Sequence, residues 1–264
     1  MSIENLPSEP KALRHLIRRG EWTGVTSGLA NGYVQANLVI LPQAQAFDFL
    51  LFCQRNARSC PLIEVIELGA TEPVITSPGG DIRTDLPLYR IFRDGILVDE
   101  VRDVSREWRE DLVTFLIGCS FTFESALISA GIPLRHIEEG KNVAMYTTNI
   151  PTLHAGQFSG PIVVSMRPVA RQKVVKAVQV TSRFPNAHGA PLHIGDPLMI
   201  GIQDLGNPDF GDPVHIGEEE VPLFWACGVT PQAVAMQSKP PFMITHAPGH
   251  MFITDLRDDD LAVL

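Results

Sequence analysis

Long hydrophobic runs are missing from this sequence. Its most apolar stretches, such as 36–41 and 112–117, fall far short of the roughly 20 residues that a membrane-spanning helix takes. Charged residues are few, 19% against 45% apolar in 264 residues, which excludes a disordered chain and leaves ample material for a core. Basic charge is the scarcer sign: 21 Lys and Arg stand against 30 Asp and Glu, a formal net charge of -9. That balance argues against nucleic acid or an anionic membrane as partner, although a local Arg or a helix N-terminus can still hold a small carboxylate. Only four cysteines occur (Cys53, Cys60, Cys119, Cys227), without a CxxC pair or zinc-finger spacing, so free thiols are expected. Residues 1–5 carry neither a basic nor an apolar leader region, so no secretory signal and a cytoplasmic location are expected. Repeats, low-complexity tracts and flexible linkers are also absent.

What is there reads as alternating helices and strands. Residues 8–20 predict a helix, with Ser8 as cap, Pro10 in its first turn and Gly20 at its end. A short buried strand follows at 36–41, then a helix at 43–56 with Phe47, Leu50 and Leu51 inward, then a strand at 62–67. Asp94-Gly95 between apolar runs predicts a hairpin with a two-residue type I′ turn. Ser105 caps an expected helix carrying Trp108, Leu112, Phe115 and Leu116, and a second helix is expected at 122–130 before Gly131. Beyond residue 150 the texture changes, with 13 of the 21 prolines and six of the eight histidines. Strands are expected there at 161–166, 198–202, 223–226 and 242–245, and one helix near 171–182. The expected fold is α/β with α+β elements. A larger layered domain comprises 1–148 with 222–264, and a smaller inserted α+β domain comprises 149–221.

Several clusters could carry chemistry. Cys119 precedes the start of a helical segment, and Cys227 ends a strand before Thr230-Pro231 opens another helix. A thiol at a helix N-terminus has its thiolate favoured; the alternative for Cys119 is a small buried hydrophobe. His188, His193 and Asp196 lie in a Gly- and Pro-rich loop. They read either as ligands for a divalent metal such as Mn2+, as a general acid or base, or as loop histidines bonded to backbone. His246 and His250 follow another strand. Arg83 and Arg167 flank glycine and proline breaks and suit bidentate carboxylate binding, or else surface ion pairs.

Tyr33-Val34-Gln35-Ala36-Asn37, Asp81-Ile82-Arg83-Thr84-Asp85, Ile117-Gly118-Cys119-Ser120-Phe121, Val164-Ser165-Met166-Arg167-Pro168, His188-Gly189-Ala190-Pro191 and Trp225-Ala226-Cys227-Gly228-Val229-Thr230 together resemble the D-glutamate cyclase family over about 24–255. The resemblance implies a hydro-lyase that closes D-glutamate, or a related acidic amino acid, to 5-oxo-D-proline. It also implies a fold of two layered domains, one inserted in the other.

Closing the ring requires a base at nitrogen and an acid at the departing oxygen. The expected catalytic set is Cys119, Glu124, His188 and Cys227, with His188 as base and Glu124 as acid. Helix N-terminal amides near the cysteines would hold the oxyanion. Arg83, Arg167, His193, Thr230 and His246 form the expected substrate-binding set. No cofactor is demanded by the sequence. The expected partner is a small acidic amino acid, with homo-oligomer formation left open. Two other readings stand beside this one: a cofactor-independent amino-acid racemase using the two cysteines, and a non-catalytic module that binds a small carboxylate.

Overall fold

A computed structural model describes residues 6–263 of the protein; the first five residues, read above for a leader, lie outside that range. Helix α1 (Pro10–Arg18) starts at the expected proline, with Glu9 rather than Ser8 at the cap position. It lays Leu13 and Ile17 against Leu29 and Ile253, and Arg14 grips Asp255 through two hydrogen bonds of 2.9 and 3.0 Å.

The main sheet is built on β1 (Tyr33–Pro42), buried along nearly its whole length. After α2 (Gln43–Arg55) come β2 (Leu62–Ile66), the hairpin β3 (Tyr89–Arg93) and β4 (Ile96–Val101), and β5 (Leu112–Gly118). From the C-terminal part come β10 (Met243–His246) and β11 (Phe252–Arg257). The order is β2-β5-β1-β10-β3-β4, with β11 also on β1, and every pairing is antiparallel. The hairpin turn has φ of 50° at Asp94 and 77° at Gly95, as the type I′ reading requires.

A second antiparallel sheet has the order β6-β7-β9-β8, from β6 (Ala144–Pro151), β7 (Pro161–Ala170), β8 (His193–Ile194) and β9 (Glu220–Ala226). It has its own apolar cluster around Tyr146, Met166 and Phe224. The sheet spans 144–226, wider on both sides than the expected 149–221 insert. Short helices α3 (Glu124–Ser129) and α4 (Arg135–Glu138), with α5 (Val174–Ser182) and α6 (Thr230–Ser238), complete an α+β fold of antiparallel sheets and packed helices. Among the described residues no helix is long and apolar enough to cross a membrane.

Three expectations fail for identifiable reasons. Residues 112–118 form a strand, not a helix. Leu112 and Leu116 face one apolar cluster and Phe115 and Ile117 the other, and a strand buried on both faces gives a continuous apolar run that periodicity cannot separate from a helix. In α2 the inward residues are Phe49, Phe52 and Cys53, while Phe47 is 73% exposed. The helix is apolar on nearly every side, so its phase is not fixed by sequence. Residues 197–200 make a 3-10 turn instead of a strand, because the Asp196 side chain accepts from Leu198 N with Pro197 in the first turn.

Candidate functional site

Two strand ends deliver the cysteines to one place. β5 stops at Gly118, Cys119 remains extended, and its Sγ accepts the Phe121 amide at 3.4 Å as a 3-10 turn (Ser120–Phe123) begins. β9 stops at Ala226, the Cys227 amide donates to Val163 O at 3.0 Å, and α6 begins three residues later. Both thiols belong to one buried apolar cluster with Phe121, Val143, Met145, Val163 and Val229. Burial dominates their ionisation. It pushes the Cys119 thiol well above the usual range in spite of the Phe121 N–H, and Cys227 and Glu124 add to the rise. Burial likewise pushes Cys227 up to about 11, against the Val229 N–H and the Arg167 charge. The sequence reading, in which helix N-termini lower these pKa values, is reversed: desolvation outweighs a single amide, and both side chains are neutral thiols at pH 7.

Asn37 on β1 ties the two corners together. Its Nδ2 donates to Gly118 O at 2.6 Å and to Ile117 O at 3.3 Å. A Cβ on Gly228 would collide with the same amide, so only glycine lets the second corner lie against Asn37. Gly118 is confined similarly, since a Cβ there would strike Asn186 O.

Behind Cys119 lies a buried ionic network. Glu124 Oε1 accepts from Arg167 Nη2 at 2.6 Å and lies 3.0 Å from His136 Nε2. Ser27 Oγ donates to Oε2 at 3.3 Å. Arg167 also donates to Ser165 Oγ and Ser120 Oγ at 3.1 and 3.0 Å, and its guanidinium lies over both rings of the contacting pair Phe123 and Trp225. Burial raises the Glu124 carboxyl, but His136 and Arg167 outweigh it and hold the pKa below the usual carboxylate range. Glu124 is therefore ionised at neutral pH and cannot serve as the acid expected of it. Arg167 already has its carboxylate, so it anchors the Cys119 turn and does not wait for a ligand.

Two histidines are buried differently. His188, at φ 77° after a 3-10 turn (Pro185–Ala187), places Nδ1 2.7 Å from Arg58 O. A carbonyl only accepts, so Nδ1 carries the proton and Nε2 bears a lone pair. That Nε2 is buried without a hydrogen-bond partner among the described residues. Burial lowers the His188 pKa to about 4 against the Arg58 carbonyl, with the Arg167 charge assisting, so the ring is neutral. His246, at the end of β10, receives the Leu38 amide on Nδ1 at 3.2 Å. Its Nε2 is also buried and unpaired, and burial lowers its pKa to about 3, with His250 and Arg90 adding to the fall.

Other expected residues lie elsewhere or are occupied. Arg83 closes a two-bond ion pair with Asp81 at 2.9 and 2.7 Å in a partly exposed loop. The Thr230 hydroxyl is spent inside the fold, donating to Cys227 O at 2.7 Å and accepting from Val163 N at 3.1 Å. His193 bonds the Asp196 carbonyl at 2.7 Å and packs on Phe224. Among the described residues no three His, Cys, Asp or Glu side chains are grouped to hold a metal ion, so His188, His193 and Asp196 do not form the expected set. Sequence reasoning missed Asn37, His136 and Arg90. Arg90 donates to Gln232 Oε1 at 3.1 Å, and Gln232 donates to His246 O at 2.8 Å. It also lies over Phe210, which packs on the cysteine cluster. Asn37 ends one of the strings that carry the family resemblance and Arg90 stands inside a hairpin strand, and the roles of both appear only when strands distant in sequence are paired.

Two hollows lie beside this chemistry, not at its centre. One of about 710 Å³ is lined by Arg58, Cys60 and Asn186 among others, and by none of Cys119, His188, Cys227 or His246. Another, lined by Gln35, Glu124 and Asp258 among others, has about 20 Å³, room for a water and too small for a dicarboxylate.

Comparison with known proteins adds the lineage. The family described as D-glutamate cyclase matches residues 113–255. A Geobacillus kaustophilus protein named "Putative hydro-lyase" is 62% identical over 98% of both chains. One from Stutzerimonas stutzeri, similarly named, is 62% identical over 97% of this chain and 96% of its own. One from Bacillus subtilis is 61% identical over 97% and 99%. A crystal structure of a nitrogen repressor-like protein from Methanococcus jannaschii aligns over 87% of this chain and 88% of its own, with 10% identity and a TM-score of 0.40, too slight a likeness to carry an argument.

Proposed function

Since the chain belongs to the D-glutamate cyclase family, we propose that it is a hydro-lyase closing D-glutamate, or a closely related acidic amino acid, to 5-oxo-D-proline and water. The observation that carries this reading is the state of His188: a neutral ring whose Nε2 lone pair is buried and unpaired, carried just after a turn that packs on the Cys119 corner.

The reaction moves two protons from nitrogen to the departing oxygen. His188 Nε2 takes a proton from the substrate ammonium, and the freed amine attacks the side-chain carboxyl carbon, forming the C–N bond. The imidazolium then returns that proton to a carboxyl oxygen. A second relay by the same ring carries another proton from nitrogen to the same oxygen, the C–O bond breaks, and water leaves. Each proton passes through His188, so no separate acid is needed and Glu124 keeps its charge.

The oxyanion of the tetrahedral intermediate is held by backbone N–H groups of the two cysteine corners. A thiol is a weak acceptor, so the Phe121 amide, now 3.4 Å from Cys119 Sγ, can be yielded to an oxyanion at little cost. Arg90, tied to the site through Gln232 and Phe210, takes the α-carboxylate in place of the expected Arg83 and Arg167, giving up for it the exposed Glu100 carboxylate that it holds at 2.7 Å. Purified protein incubated separately with D-glutamate, L-glutamate and 5-oxo-D-proline, with and without Mn2+, tests this by chiral chromatography. Interconversion of D-glutamate and 5-oxo-D-proline supports it; no conversion of any of the three rejects it.

The shared cluster of two cysteines favours one other reading, a racemase with a cysteine on each face of Cα. It requires one thiolate among two thiols that burial keeps protonated, and is therefore the weaker.

A further inference from the structure

His188 and His246 face the backbone in opposite senses. His188 meets a carbonyl oxygen, Arg58 O, through Nδ1. His246 meets an amide, Leu38 N, through Nδ1 at 3.2 Å, nearer than Leu38 O at 3.4 Å. Both Leu38 groups lie within hydrogen-bond distance of Nδ1; with the nearer contact made, Nδ1 offers its lone pair to the amide and the remaining proton of His246 sits on Nε2. One ring therefore presents a bare Nε2 and the other an Nε2–H. Neither atom has a partner among the described residues, although both histidines are only 1% exposed. Leaving such groups unpaired in the interior costs free energy, and a ligand that meets both would recover it.

The pairing of the sheet brings the two rings to one level. Gly118 lies across from Ala36 on β1, and Asn37 bonds Gly118 O beside the turn that carries His188. The next residue along β1, Leu38, bonds His246. Gly228 covers Asn37, and Gln232, one turn into α6, holds the His246 carbonyl. The loop that carries His188 thus lies on the β5 side of the Asn37–Leu38 step and His246 on the β10 side.

We propose that His246 is a second catalytic residue, a neutral imidazole whose Nε2–H donates a hydrogen bond to the side-chain carboxyl oxygen of the substrate as negative charge gathers there. This deepens the cyclase reading and rests on it for the identity of the substrate. His246 only donates a hydrogen bond. Its proton stays on Nε2, so the count of two protons relayed by His188 is unchanged. A charged ring would protonate the carboxylate or release its own proton to His188; a neutral one polarises the carboxyl and stays as it is. Burial opposes protonation of His246 most, the Leu38 backbone favours it, and the neighbouring titratable groups, the partly buried His250 and Arg90, oppose it.

Nitrogen-15 NMR of the full chain labelled at histidine tests the tautomers without any substrate, the two rings being assigned with His188→Gln and His246→Gln. The proton is expected on Nδ1 of His188 and on Nε2 of His246 at pH 7; a proton on Nδ1 of His246, or a charged ring, overturns the proposal. Kinetics then test the role. His246→Ala is expected to lower kcat by about 10²–10³-fold with little change in KM, and His246→Gln, which keeps a donor near the same point, to recover part of it. If wild-type protein closes D-glutamate and His246→Ala does so equally well, His246 is not catalytic and the cyclase reading stands. If wild-type protein closes none, the cyclase reading falls and the catalytic role goes with it, whatever tautomers the spectra show.

Discussion

Asn37 and Gly228 are in such close contact that a single added carbon at Gly228 would overlap the Asn37 side-chain amide. The contact seals one cysteine corner against the strand that holds the other, because the same amide donates to Gly118 O at 2.6 Å. Gly228→Ala is expected to destabilise the fold by about 1–3 kcal/mol through overpacking, a fall of several degrees in Tm. Asn37→Ala in the same chain should remove the clash and restore part of that loss. Thermal unfolding of the two single variants and the double variant checks this, and strictly additive losses would contradict the contact.

The Glu124 carboxylate is held below its ordinary pKa by His136 and Arg167 against the cost of burial. The pH dependence follows directly. A carboxyl with a depressed folded pKa contributes stability that is complete above its unfolded value, about 4.3, and disappears as pH falls through the folded value. Glu124→Gln leaves Arg167 buried without its counter-charge and should cost about 3–5 kcal/mol at pH 7. The gap from wild type should close in acid below about pH 4.3. Urea unfolding at a series of pH values reads both effects, and a gap independent of pH would exclude the ionised pair.

His188 titrates in a different window. Its pKa is lowered to about 4 by burial, whereas the unfolded ring titrates near 6.5. Between those values the unfolded chain binds the extra proton, so stability is complete above about pH 6.5 and falls as pH drops toward 4, by about 3 kcal/mol from this residue. His188→Gln should flatten that part of the stability curve and leave the Glu124 part intact. In the active protein the acid limb of kcat/KM should lie near 4 and not near 6.5. A limb at 6.5 would mean that the base is an exposed histidine.

Both cysteines should behave as protonated, enclosed thiols. Iodoacetamide at pH 7.5 is expected to leave Cys119 and Cys227 unmodified in the folded protein and to label both in urea. Cys119→Ser exchanges a weak acceptor of the Phe121 amide for a stronger one, so it should hold that N–H away from the oxyanion and lose most turnover while Tm is kept. Unchanged turnover would remove this amide from the reaction. A binding module without catalysis would show no turnover in any variant and unchanged ligand affinity in this one.

Much of this was legible from local pattern. The Asp94-Gly95 turn, the central strand, the strand-turn-helix corner at Cys227 and the helical turn that opens after Cys119 follow from short-range chemistry that the fold leaves undisturbed. Whatever depends on which faces become buried was not legible. Residues 112–118 look helical until β1 and β2 enclose them, and a thiol at a helix N-terminus looks reactive until apolar neighbours desolvate it. Arg167 reads as a free carboxylate grip until Glu124, 43 residues earlier, is found against it. Tautomers are further still from sequence, since those of His188 and His246 are set by backbone groups 130 and 208 positions away.

Hydrogen exchange at Cα separates ring closure from inversion most directly. Cyclisation never breaks the Cα–H bond, whereas a racemase must break it in every turnover. Wild-type protein incubated with D-glutamate in D2O and followed by proton NMR should yield 5-oxo-D-proline that keeps its Cα proton, with recovered D-glutamate equally unlabelled. Deuterium at Cα of either compound, or failure to form 5-oxo-D-proline, would contradict the account.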